Sequence, residues 1–104
     1  MRQFDVVDNR NPETSDQVPY VLLLQANLFD DLATRVVAPL IPADRYGPRL
    51  DWLNPTILIG KTEFVISMAE LAGVPISIIG DTVASAESKR NEVISALDFL
   101  FTGS

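Results

Sequence analysis

PTILIGKTEFVISM, residues 55–68, consists of two β-forming runs that meet at Gly60-Lys61. β-Branched and aromatic side chains fill both halves, and only two residues separate them. A two-residue connection with glycine first suits a type II′ turn, whose backbone twist matches that of the strands it joins. The segment is predicted to be a β-hairpin, and with it an antiparallel sheet becomes the expected framework.

Working outward, RQFDVV (2–7) reads as an opening strand and DNRNPETSDQ (8–17) as a polar loop. PYVLLLQA (19–26) is apolar for longer than a one-sided strand needs, so it reads as a central strand. NLFDDLA (27–33) interrupts it and TRVVAPLI (34–41) resumes; Pro39 cannot donate to a ladder, which predicts an edge or a bulge there. PADRYGPRLDWLN (42–54) reads as an irregular excursion. Beyond the hairpin, VPISIIG (74–80) alternates Val74, Ile76 and Ile78 and reads as one more strand, with Pro75 marking an edge or bulge.

After Gly80 the period changes. Val93, Leu97, Leu100 and Phe101 recur at helical spacing, with Ala86 and Arg90 extending the stripe backward, so residues 86–101 are predicted to form an amphipathic helix. Ser85 is the expected N-cap, Glu87 sits where the helix dipole favours an anion, and Gly103 is the expected left-handed C-terminal glycine. Residues 1–104 therefore make a single, mainly β domain of five or six antiparallel strands with a C-terminal helix packed on them.

Composition narrows the chemistry. The 104 residues include no cysteine and no histidine, which removes disulfides, thiolate catalysis, the usual general base and the commonest zinc ligand. Fourteen acidic against eight basic residues give a net charge of −6, a surface that repels phosphate backbones and anionic membranes and favours a basic partner. MRQFDVVD lacks the apolar core of a signal peptide, so a cytoplasmic protein is expected. No cofactor is expected.

Catalytic constellations are weak. Asp30-Asp31 reads as a solvated turn, and Glu63 beside Lys61 as a surface pair. Ser88 and Lys89 are neighbours on a helix and point to different faces, and GDTVAS lacks the lysine and second glycine of a phosphate loop. Trp52 is expected in the core under the excursion, with a partner anchor as the alternative. Leu28-Phe29, two large apolar residues in a short acidic connection, are either tucked inward or presented to a partner.

Taken together and in order, QFDVV, LLLQANLFD, RVVAPL, NPTILIG, GVPISIIG and RNEVISALDFLFTG resemble the CcdB family of toxins from type II toxin–antitoxin systems. The resemblance implies an antiparallel SH3-like barrel or sheet of the CcdB/MazF toxin superfamily, with a small wing sheet, a C-terminal helix and a homodimeric state. It implies a protein that is not an enzyme. Such toxins bind the DNA gyrase A subunit, trap the cleaved-DNA complex and are neutralised by a cognate CcdA-like antitoxin whose flexible segment wraps the dimer. Matched residue by residue, the implied gyrase-binding positions are Leu28, Phe29, Asp98, Phe101, Thr102, Gly103 and Ser104. The best-known member ends in Trp-Gly-Ile, whereas this chain has Thr102-Gly103-Ser104. Two readings follow: a gyrase poison, or a protein of the same fold that has lost poisoning and binds only an antitoxin or another target. MazF and Kid ribonucleases resemble the same fold and supply a third, which an acidic, histidine-free chain disfavours.

Overall fold

The computed structural model describes residues 2–25 and 32–103. In chain order the elements are β1 (Asp5–Asn9), β2 (Tyr20–Leu23), β3 (Thr34–Pro42), a short helix α1 (Ala43–Tyr46), β4 (Thr56–Ile59), β5 (Thr62–Ile66), β6 (Ala72–Pro75), β7 (Ile79–Ser85) and helix α2 (Arg90–Thr102). One antiparallel sheet holds all the described strands in the order β4-β5-β3-β2-β1-β7, with β6 also on β3. Thr56 and Leu58, from one end of that order, share a hollow with Ser85 from the other, so the sheet curls into a half-barrel.

The β4–β5 hairpin forms as its sequence predicts. Ile59 pairs with Thr62, and Gly60 has φ 63° while Lys61 stays out of the left-handed region, the type II′ pattern. No separate wing sheet stands apart among the described residues: the hairpin is continuous with the one sheet, joined where Leu40, Ile41 and Pro42 pair with Ile66, Val65 and Phe64.

Strand alternation sorts the core onto two faces. Val6, Leu22, Ala38, Leu40, Phe64 and Ile66 form one buried cluster, closed over by Val93 and Ala96 of α2. Val7, Val21, Leu23, Val37 and Ile79 form a second cluster, with Val18 and Val74 packed against it. Each of these Val, Leu, Ile and Phe side chains taken out of water stabilises the fold by about 1.5–3 kcal/mol before entropy is counted.

Three expectations need correction. First, Pro39 lies inside the sheet, on a strand paired on both sides. Its carbonyl accepts from Ser67 N–H at 2.9 Å, so its missing donor points at the gap where β3 exchanges β6 for β5, and no ladder bond is lost. Second, VPISIIG is not one strand. Ile76–Ile78 make a 3₁₀ corner, after which the chain leaves β3 and runs along β1 as β7. Third, the helix is shorter at its start: Glu87–Lys89 is a 3₁₀ turn, Ser85 Oγ accepts the Glu87 N–H at 3.2 Å, and α2 begins at Arg90. The C-terminal end agrees with expectation. Gly103, at φ 75°, donates to Phe99 O at 2.9 Å.

β7 survives its glycine because that glycine is needed. The β1–β7 register shifts on either side of Val7, between Val6 and Val7 and between Val7 and Asn9, and a Cβ on Gly80 would lie 2.7 Å from Asp8 Cβ and 2.9 Å from Arg10 Nε. The arginine can swing away; the Asp8 backbone, fixed in β1, cannot. Gly80→Ala should destabilise the protein by about 1–3 kcal/mol. Gly73, which has nothing within 4 Å of its Cβ position, is the control. Equal melting temperatures for the two alanine variants would contradict the close approach.

Candidate partner-binding site

The far end of α2 is exposed by its own periodicity. Val93 and Ala96 face the core, Leu97 and Leu100 are half-buried, and at 100° per residue Phe101 falls roughly 80° round the helix from Val93. Phe101 was expected at the end of the buried stripe; it is instead 72% exposed. Asp98 and Thr102 are exposed on the same side, three residues before it and one after, and Thr102 Oγ1 donates to the Asp98 carbonyl at 2.6 Å. Gly103 is exposed beyond them. Asp98, Phe101, Thr102 and Gly103 therefore form one surface at the helix end. The other predicted site residues, Leu28, Phe29 and Ser104, lie outside the described residues, as do Asp30 and Asp31.

The helix is held firmly at its other end. Ala86 N–H donates to Phe4 O at 2.7 Å, Phe4 N–H donates to Leu23 O at 2.7 Å, and the Arg90 guanidinium lies 5.2 Å from the centre of the Phe4 ring. Phe4 is buried and carries φ 67°, an uncommon conformation for a phenylalanine that the surrounding bonds enforce.

The excursion 42–54 is not irregular where it meets this helix. Asn54 Nδ2 donates to Tyr46 Oη at 3.2 Å, Tyr46 Oη shares a 3.1 Å hydrogen bond with the fully buried Ser67 Oγ, and Ser67 Oγ donates to Glu70 at 2.8 Å. Leu50 N–H donates to Asn54 Oδ1 at 3.2 Å and closes the turn that carries Trp52. Trp52, expected in the core, is 49% exposed and packs on Phe99 with ring centroids 4.1 Å apart. Buried polar groups need partners, and here they fix the turn rather than the indole. Phe99 is three residues before Thr102, so Trp52 lies on the helix stripe that leads to the tail. Sequence reading missed this pair; its only signal was that Phe99 falls outside the Val93–Leu97–Leu100 stripe.

Glu63 also differs from expectation. It faces Leu58 across the hairpin, and its carboxylate lies 4.0 Å from Arg49, not Lys61.

The model of the family described as CcdB protein matches residues 3–103. The chain belongs to the CcdB family. Solved structures similar to this CcdB-family protein include Mycobacterium tuberculosis toxin MazF-mt6, 16% identical, with a TM-score of 0.74 over 93% of this chain and 95% of that one. An endoribonuclease in complex with its cognate antitoxin, from a mycobacterial species, is 13% identical with a TM-score of 0.75, over 96% and 93% of the two chains. At these identities the likeness is one of fold. The CcdB half-barrel and terminal helix are thus shared with MazF-like toxins.

Proposed function

We propose that the chain is the toxin of a type II toxin–antitoxin system, a cytoplasmic homodimer that binds the DNA gyrase A subunit, traps the cleaved-DNA complex and is neutralised by a cognate CcdA-like antitoxin. It performs no catalysis of its own; gyrase makes the break and the toxin stabilises it. The observation that carries this reading is the exposed Phe101 at the end of α2, flanked by Asp98, Thr102 and Gly103. A large aromatic left in solvent by a helix that could have ended after Leu100 is the kind of anchor that dominates an interface. Leu28 and Phe29 complete the proposed contact.

The alternative, a CcdB-fold binder without poisoning, draws on Thr102 and Ser104 standing where the best-known member has tryptophan and isoleucine. Induced expression in a host with wild-type gyrase separates the two. The poison arrests growth with accumulating DNA breaks; the binder leaves growth unchanged. The fold neighbours named as endoribonucleases add one control: RNA cleavage without DNA breaks contradicts both.

A domain of this length buries only about 60–70% of the surface its unfolded chain exposes, and association buries more. Sedimentation at micromolar concentration is expected to give a dimer. A stable monomer there contradicts the homodimer.

A further inference from the structure

Trp52 is the chain's only tryptophan, and half of it is open to solvent. A hollow of about 320 Å³ opens beside Trp52 and Phe99, with Asp51, Asn91, Glu92 and Ser95 as the rest of its lining. Its lining mixes two kinds of group: the loop supplies Asp51 beside the Trp52 ring, and α2 supplies Asn91, Glu92 and Ser95 along with the Phe99 ring. The rings meet at 34°, tilted rather than edge-on. An aromatic face is electrostatically negative, and a carboxylate accepts charge-assisted hydrogen bonds, so the two together suit a cation.

The carboxylates already have neighbours, but loosely. Asp51 lies 3.8 Å from Arg49 and Glu92 lies 3.5 Å from Lys89, with the acid side chains 95% and 56% exposed. Pairs this open contribute little and give way to a better-placed cation. Packing explains why Trp52 touches Phe99. It does not explain why two acids, Asp51 and Glu92, line the same hollow as the half-exposed indole.

We propose that this hollow receives an arginine or lysine side chain carried on the extended segment of the antitoxin. The cation lies against Trp52 and Phe99, and Asp51 and Glu92 accept its hydrogen bonds. The volume is at the small end for ligand pockets, which suits one long side chain. The net charge of −6 steers a basic segment toward the surface and repels a phosphate-bearing one. The identity of the partner rests on the toxin–antitoxin reading; recognition of the cation does not.

The single tryptophan makes the test direct. Full-length protein is titrated with a short arginine peptide, and with a glutamate peptide as control, at about 0.15 M salt, where exposed charges beyond about 8 Å are screened. The arginine peptide is expected to change Trp52 emission saturably and the glutamate peptide to leave it unchanged. The double variant Asp51→Asn with Glu92→Gln should raise the dissociation constant about tenfold, since both charge-assisted acceptors are lost. These exposed substitutions leave the melt in place, so the test does not depend on a variant that unfolds. Calorimetry on Trp52→Leu should show binding lost. No saturable change in wild type, or wild-type affinity in the double variant, overturns the proposal. In cells, the double variant should need more antitoxin for rescue, and equal rescue overturns the assignment to the antitoxin. If wild type causes no growth arrest, the toxin reading fails while the peptide titration still decides the cation site.

Discussion

Replacing Phe4 by alanine is expected to lower stability by about 3–5 kcal/mol, whereas the same replacement at Phe101 should leave it within about 0.5 kcal/mol. The two rings have the same chemistry and opposite surroundings. Phe4 is 1% exposed in the cluster that joins the sheet to α2, and its backbone bonds tie β2 to the start of the helix segment. Alanine there leaves a cavity, removes the ring beneath Arg90 and keeps the left-handed backbone, so nothing offsets the loss. At roughly 4–8 °C per kcal/mol for a domain near this size, the melting temperature should fall by more than about 12 °C. Phe101, 72% exposed, has little burial to lose. Thermal melts of the two variants decide the matter. A large fall for Phe101→Ala would make that ring a structural element and remove it from the proposed interface.

Deleting Thr102 to Ser104 is expected to abolish gyrase poisoning and to weaken binding to the gyrase A subunit, which then rests on Phe101 and Asp98, while leaving a folded protein. Thr102 and Gly103 are exposed, and of their contacts the deletion removes the Gly103 N–H bond to Phe99 O and the Thr102 bond to the Asp98 carbonyl, so only the last turn frays. The converse experiment, Thr102→Trp with Ser104→Ile, adds apolar area at roughly 25 cal/mol per Å². A restored hot spot is worth about 2 kcal/mol, or roughly 30-fold in affinity. Affinities for the A-subunit fragment should rank restored tail, wild type, deletion. If the deletion binds and poisons as wild type does, the tail is not the recognition element.

What could be read from the sequence was local. Gly60-Lys61 announces its turn because backbone geometry there depends on one glycine, and α2 announces itself through periodic Val93, Leu97 and Leu100, closed by Gly103. β7 was hidden because Gly80-Asp81 resembles a turn, and only the close approach of Asp8 reveals a bulge within a strand. Pro39 misled for a similar reason: whether a missing donor matters depends on which strand lies opposite, and β6 ends where β5 begins. At the site, family resemblance singled out Asp98, Phe101, Thr102 and Gly103, and the helix places them on one exposed surface. Trp52 was misread as core because its position is set by hydrogen bonds of Asn54, Tyr46 and Ser67, which no periodicity encodes.

The most direct measurement is a DNA cleavage assay with purified protein, gyrase, ATP and supercoiled plasmid. A gyrase poison should make protein-linked, cleaved DNA accumulate with increasing toxin, and stoichiometric antitoxin should suppress it. Plasmid that stays intact while the same preparation is folded and binds antitoxin would contradict gyrase poisoning and leave a CcdB-family protein that binds without trapping.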